Sequence, residues 1–149
     1  MQTIWTCKKF EELTVNELYK ILTLRSEVFV VEQNCVYLDT DNKDAESYHL
    51  FRADENKVIA YARLMPVGLS YPEVSIGRVV THAQQRNNGM GKLLMQQAIE
   101  QCFKIFNCNT IKIGAQLYLI KFYTNLGFVQ VSDPYLEDGI AHIEMLLQH

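Results

Sequence analysis

The sequence lacks a Cys-x-x-Cys pair, a run of basic residues, an apolar stretch of membrane-spanning length and any internal repeat. Each absence excludes a class of protein. Cys7, Cys35, Cys102 and Cys108 have no zinc-site spacing and no secretory leader ahead of them, so they read as reduced thiols, and no metal is expected. No segment approaches the roughly 20 apolar residues that span a bilayer. The opening Met1-Gln2-Thr3-Ile4-Trp5 lacks the charged-then-apolar order of a signal peptide. A cytoplasmic protein away from membranes is the expectation. Lys and Arg total 14 against 17 for Asp and Glu, a net charge of -3, which disfavours nucleic acid as a partner.

What is present fits one folded domain over residues 1–149, long enough to bury roughly 68–70% of its unfolded surface. A short strand is expected from about Ile4 to Phe10. Thr14-Val15-Asn16-Glu17 is a capping box that starts a helix near Val15. Val15, Leu18, Leu22 and Phe29, helped by Ile21 and Val28, give that helix an inward face to about Val30. The acidic stretch Asp39 to Glu46 reads as a solvated loop, with a site for a cation or cationic substrate as its second reading. Tyr48–Ala53 and Val58–Met65 form a hairpin around Asp54-Glu55-Asn56-Lys57, with Tyr61 and Arg63 on one face of the second strand.

Val74 to Thr81 is β-branched and apolar enough for a central strand, and Gly77 within it predicts a bulge or a close backbone approach. From Gly89 to Phe106 the positions Met90, Leu94, Ala98 and Cys102 form a helical stripe. A strand over Thr110–Ala115 precedes a short helix over Leu117–Leu126, for which Gly127 is a natural cap. Two closing strands, Phe128–Val131 and Ile140–Leu147, flank a turn at Asp133-Pro134-Tyr135. The order of elements specifies a mixed α/β layer structure.

The most informative segment joins the strand ending Val79-Val80-Thr81 to the helix from Lys92 through Arg86-Asn87-Asn88-Gly89-Met90-Gly91. A helix start leaves backbone N–H groups without intrahelical partners and carries partial positive charge, so a glycine-rich turn there suits an anion. Arg86 and Lys92 add full charges. A nucleotide P-loop would need Gly at Arg86 and Ser or Thr at Leu93, and the dinucleotide fingerprint would need Gly at Leu94, so both readings fail. What remains is Arg-x-x-Gly-x-Gly.

That motif resembles the coenzyme A-binding turn of GNAT acetyltransferases, and Phe122-Tyr123-Thr124-Asn125-Leu126-Gly127-Phe128 resembles a second segment of the same family. Arg25 to Gln33, Ile76-Gly77-Arg78-Val79, Gly114-Ala115-Gln116 and Glu137 to Ile143 are similar to its ElaA-type branch. The resemblance implies the GNAT acyl-CoA N-acyltransferase fold: a twisted mixed sheet of about seven strands, the fourth and fifth splayed to admit the pantetheine arm, with about four helices. It implies acetyl-CoA as co-substrate, held by Val79, Val80, Thr81, Arg86, Asn87, Asn88, Gly89, Met90, Gly91, Lys92 and Phe122. It also implies backbone N–H groups near Val79 and Val80 for the thioester carbonyl and oxyanion, and Tyr123 as the acid that protonates the leaving sulfur.

Acetyl transfer further requires that an alkylammonium of pKa near ~10 lose a proton. Glu32 and His142 are the candidates, each with a structural reading beside it: a packed histidine, or a glutamate pairing with Arg25, Arg63 or Arg78. Arg63 and Arg78 themselves read as partners of local carboxylates before they read as binders of an acidic acceptor. Cys35 and His49 form no nucleophile and base pair, since no orienting third group accompanies them. The expected activity is direct transfer of acetyl to a primary amine of a small molecule or peptide in a ternary complex. The alternative is a non-catalytic acyl-CoA sensor. A homodimer is compatible with the resemblance.

Overall fold

The computed structural model describes residues 5–149. Its strands are β1 (Thr6–Lys9), β2 (Tyr48–Asp54), β3 (Lys57–Met65), β4 (Val74–Thr81), β5 (Thr110–Gln116), β6 (Val129–Gln130), β7 (Tyr135–Glu137) and β8 (Ile140–Gln148). Ile4, expected in the first strand, lies outside the described residues. The helices among the described residues are α1 (Val15–Arg25), α2 (Met90–Phe106) and α3 (Ile120–Asn125), and with the eight strands they come close to the expected four helices and seven strands. Strand order is β1-β2-β3-β4-β5-β8-β6, with β7 pairing β8; β4 and β5 run parallel and all other pairs antiparallel.

Two cores hold the sheet between helices. On one face, Met90, Leu94, Met95, Ala98 and Cys102 of α2 and Tyr123 of α3 pack on Ala60, Ala62, Leu64, Ile76, Ile111 and Met145. On the other, Ile21, Leu24 and Val28 pack on Phe51, Val58, Tyr61 and Val80. With both faces covered, β3 is buried from Val58 to Met65, as a central strand should be.

The capping box of α1 forms: Glu17 N–H donates to Thr14 Oγ1 at 3.0 Å and Thr14 N–H to Glu17 Oε1 at 2.9 Å. The inward face of this helix differs from expectation. Val15 is 85% exposed, and the buried positions are Ile21, Leu24, Arg25 and Val28. These four fall at i, i+3, i+4 and i+7, but one is an arginine, so a search for apolar periodicity alone selects a neighbouring stripe. Beyond Arg25 the helix continues as a π-helical stretch over Ser26–Glu32, and such insertions concentrate near functional sites.

The turn expected at Asp133-Pro134-Tyr135 is partly strand, because Tyr135 begins β7. Asp138 and Gly139 join β7 to β8 with φ of 53° and 79°, the left-handed pair that a two-residue hairpin turn requires.

Candidate active site

Strands β4 and β5 pair only at Val74 with Ile111 and Ser75 with Lys112. Past Ser75 they diverge, leaving the edge of β4 without a strand partner on that side. Between them opens a cleft of about 710 Å³. Val79, Val80, Thr81, Arg86, Asn87, Gly89, Met90, Gly91, Lys92, Phe122, Tyr123, Glu32 and His142 all line it. Asn88 does not: its Oδ1 accepts from Met90 N–H at 3.1 Å and its Nδ2 donates to Gln85 Oε1 at 3.2 Å, so its side chain stays on the turn.

The turn at one end of the cleft is built by backbone. Asn87 and Gly89 adopt φ of 66° and 84°, reversing the chain into α2. Leu93 N–H is the first to return to the helix, meeting Gly89 C=O at 3.1 Å. The amides of Gly91 and Lys92 precede that point and have no acceptor within the helix. A methyl added to Gly91 would rest 3.7 Å from Phe122 Cζ, so this glycine separates the turn from an aromatic wall. Arg86 donates to Glu32 and, at 3.2 Å, to Thr81 C=O. Glu32 therefore pairs with Arg86 rather than with Arg25, Arg63 or Arg78.

In the middle of the cleft β4 carries a bulge. Tyr61 pairs with Val80 and Arg63 with Gly77, so Arg78 and Val79 together oppose Ala62. Of the two sequence readings of Gly77, a bulge or a close approach, the bulge falls one residue on, at Arg78 and Val79. Arg78 takes the left-handed conformation at φ 49°, which costs a non-glycine residue roughly 1–2 kcal/mol. Gly77 has a different reason to be small: a Cβ there would meet Met65 Cε at 2.9 Å.

Behind the bulge lies a charge cluster that corrects the reading of residues 39–46 as solvated. Arg25, fully buried, donates to Asp39 Oδ2 and Asp44 Oδ1, each at 2.8 Å. Arg63 donates to Asp41 at 2.8 Å and Asp44 at 2.9 Å, and Arg78 to Asp39 Oδ1 at 2.9 Å. Burial pushes the Asp41 carboxyl up, but the Arg63 guanidinium outweighs it and holds it at about 2. Asp44 is likewise lowered, since Arg25 and Arg63 outweigh its burial. Two buried arginines and the half-buried Arg78 require carboxylates, and the loop supplies three. His49 closes the cluster: its Nδ1 accepts from Tyr61 O–H at 2.6 Å and its Nε2–H donates to Asp44 C=O at 2.9 Å. Burial lowers the His49 pKa and keeps the ring neutral. His49 is thus buried in a network of its own, while Cys35 lines the cleft with its Sγ on Asp138 C=O at 3.4 Å.

At the far end, Tyr123 is 7% exposed, with its ring edge-on to Phe122 and Phe128. Burial, followed by neighbouring Tyr118, pushes its phenol well above the usual range, so it is protonated at neutral pH. Among the described residues its hydroxyl has no hydrogen-bond partner, yet the oxygen is not sealed in the core, since Tyr123 lines the cleft. His142 is also buried. Its Nδ1–H donates to Ile140 C=O at 2.8 Å, leaving Nε2 as the basic nitrogen, with Glu137 Oε2 at 3.5 Å.

Sequence reasoning gives no role in the site to several lining residues: Tyr37, and Gln33, Gln116, Glu137 and Asp138, which enter it only within segments of family resemblance. For the last two a signal existed. Asp138-Gly139 is a hairpin dipeptide, and reading it so brings Glu137 beside Ile140 and hence toward His142. The loop residues Tyr37 and Gln33 follow no periodic pattern that would have placed them.

A twisted mixed sheet split between two parallel strands, with a helix N-terminus at the split, is the acyl-CoA N-acyltransferase fold. It matches the crystal structure of an acyl-CoA N-acyltransferase from Pseudomonas aeruginosa with a TM-score of 0.93 and 38% identity, over 98% of this chain and 99% of that one. The Escherichia coli ElaA structure aligns with a TM-score of 0.92 and 36% identity, over 99% and 100% of the two chains. In sequence, a UPF0039 protein of Schizosaccharomyces pombe is 45% identical over 143 residues, covering 95% of this chain and 94% of that one. The family model for the acetyltransferase (GNAT) domain matches residues 14–149. The chain belongs to the GNAT acetyltransferase family, in which the donor is an acyl-CoA, and it resembles ElaA along nearly its whole length. Among the described residues no helix is long and apolar enough to cross a membrane.

Proposed function

We propose that this protein transfers an acetyl group from acetyl-CoA to the primary amine of a small molecule or peptide, by direct attack within a ternary complex. The observation that carries the reading is the single cleft that joins the glycine turn, the β4 bulge and Tyr123. At the turn, the amides of Gly91 and Lys92 with the side chains of Arg86 and Lys92 bind the pyrophosphate, since unpaired helix-terminal N–H groups favour an anion. Phe122 and the open edge of β4 accommodate the pantetheine arm. The amide of Val79, left without a ladder partner by the bulge, receives the thioester carbonyl and stabilises the oxyanion that develops there, whereas neighbouring Val80 faces Tyr61 of β3. Tyr123, kept protonated by its burial, gives its proton to the departing sulfur.

For the amine proton, His142 Nε2 is the better fitted of the two candidates, because Nδ1 is committed to Ile140 C=O and Glu32 is engaged by Arg86. Glu32 then serves to hold Arg86 against the turn. No residue has to form an acetylated intermediate, so Cys35 has no role in transfer. The test is thiol release from acetyl-CoA with a panel of primary amines, comparing wild type with Tyr123→Phe and His142→Gln. Coenzyme A binding by calorimetry with no transfer to any amine would replace the enzyme by a sensor.

A further inference from the structure

The bulge in β4 has its glycine in the wrong place. When the first residue of a bulge is left-handed it is ordinarily glycine, yet here Gly77 precedes the bulge and Arg78 takes φ 49°. Nothing on the β5 side stabilises this conformation, because strand pairing ends at Ser75. The support comes from the opposite side. Arg78 Nε donates to Asp39 Oδ1 at 2.9 Å and its Nη2 to Asp39 C=O at 2.8 Å. Asp39 is only 7% exposed and is itself fixed by Arg25, which donates to Oδ2 at 2.8 Å from a fully buried position on α1. A rigid chain of contacts therefore runs from α1 through Asp39 to the one strained residue of β4.

From this geometry we infer that Asp39 and Arg78 are positioning residues: Asp39 grips the Arg78 guanidinium at two points, holds residue 78 left-handed, and so aims the Val79 amide into the cleft, while Val80 stays paired with Tyr61 on the β3 side. The inference rests on the reading above that the Val79 amide receives the thioester carbonyl. It differs from a plain structural ion pair in one respect. If the guanidinium matters only for stability, alanine and glycine at position 78 are equally harmful. If it matters because it offsets a left-handed backbone, glycine substitutes for it, since glycine adopts that conformation without a Cβ penalty.

The experiment is infrared spectroscopy of carbonyl-labelled acetyl-CoA bound to wild type, Arg78→Gly, Arg78→Ala and Asp39→Asn, with coenzyme A affinity measured by calorimetry on each. In wild type the thioester band moves to lower frequency on binding. Arg78→Gly keeps that shift, whereas Arg78→Ala and Asp39→Asn lose most of it while coenzyme A affinity, set at the distant turn, is unchanged. Their transfer rates fall roughly 100-fold, the usual cost of an oxyanion donor. Bands in Arg78→Ala as displaced as in wild type, or equal loss in the alanine and glycine variants, overturn the inference. An undisplaced band in wild type removes the role given to the Val79 amide, and the inference with it. Should Asp39→Asn not fold, the two Arg78 variants still decide, because the Asp39 to Arg25 pair is intact in both.

Discussion

Gly91→Asp separates binding of the pyrophosphate from integrity of the fold. Position 91 is the second residue of α2 and its φ is not left-handed, whereas Gly89 sits at φ 84° and would be strained by any side chain. A Cβ at 91 finds ordinary contact, 3.7 Å from Phe122 Cζ. Aspartate in a first helical turn gains roughly 0.3–1 kcal/mol from the helix dipole, and replacing glycine in a helix is itself favourable by a few tenths of a kcal/mol. The variant is thus expected to melt at or slightly above the wild-type temperature. Its carboxylate, however, occupies the proposed phosphate position. At about 5 Å and an effective dielectric of about 20, each pair of like charges costs roughly 3 kcal/mol. That corresponds to loss of coenzyme A affinity by at least ~100-fold. Calorimetric titration with coenzyme A and a thermal melt on the same preparation give both quantities, and Gly91→Asn, isosteric and neutral, should lose far less affinity. Wild-type affinity in a folded Gly91→Asp protein would refute the assignment of the turn.

Three further outcomes follow from the geometry. Tyr123→Phe should lower acetyl transfer by at least ~100-fold with coenzyme A affinity little changed; full turnover would remove Tyr123 as the acid. Asp44→Ala leaves Arg25 and Arg63 without the carboxylate they share at 2.8 and 2.9 Å. A broken buried pair costs about 3–5 kcal/mol, which at about 2–4 °C per kcal/mol lowers the melting temperature by roughly 10 °C, and a change within about 2 °C would contradict the network. The acid limb is also fixed in sign. The Asp41 carboxyl titrates at about 2 when folded against 3.8 ordinarily, so the unfolded chain takes up the proton first: its contribution is complete above 3.8 and is lost as pH falls from there to about 2. Urea unfolding at pH 5, 3 and 2, compared with Asp41→Asn, should show a shallower acid loss in the variant; identical slopes would exclude Asp41 as a contributor.

The sheet and its turn were legible because they depend on local pattern: alternating and β-branched runs gave β2 to β5, and helical spacing gave α2 with all five of its buried positions on or beside the expected stripe. The turn could be found because its glycines and its Arg86 are contiguous in sequence. What stayed hidden depends on pairing at a distance. Asp39, Asp41 and Asp44 look like a solvated loop until Arg25, Arg63 and Arg78 are brought to them from three other elements. The same cause displaced the inward face of α1, since a buried arginine is invisible to a search for apolar periodicity. His142 and Glu137 were both in view as residues, but their proximity follows from a hairpin whose first strand, β7, is only three residues long.

The open seam between β4 and β5 gives the charge cluster a mechanical meaning. A strand edge that loses its neighbour leaves backbone amides and carbonyls to be satisfied by water or by a ligand, and such an edge is free to straighten or twist. On its β3 side β4 is firmly registered, yet a bulge there removes one rung of that ladder at Arg78 and Val79. A segment loosened on both sides would not hold the Val79 amide at a fixed angle, and oxyanion stabilisation depends on donors that need no reorganisation when charge develops. The arginine and aspartate cluster supplies the missing constraint from beneath, through a side chain rather than a ladder. It anchors β4 to α1 at the very residue where both strand neighbours have let go, so under the proposed mechanism the acidic loop governs the angle at which the Val79 amide meets the thioester.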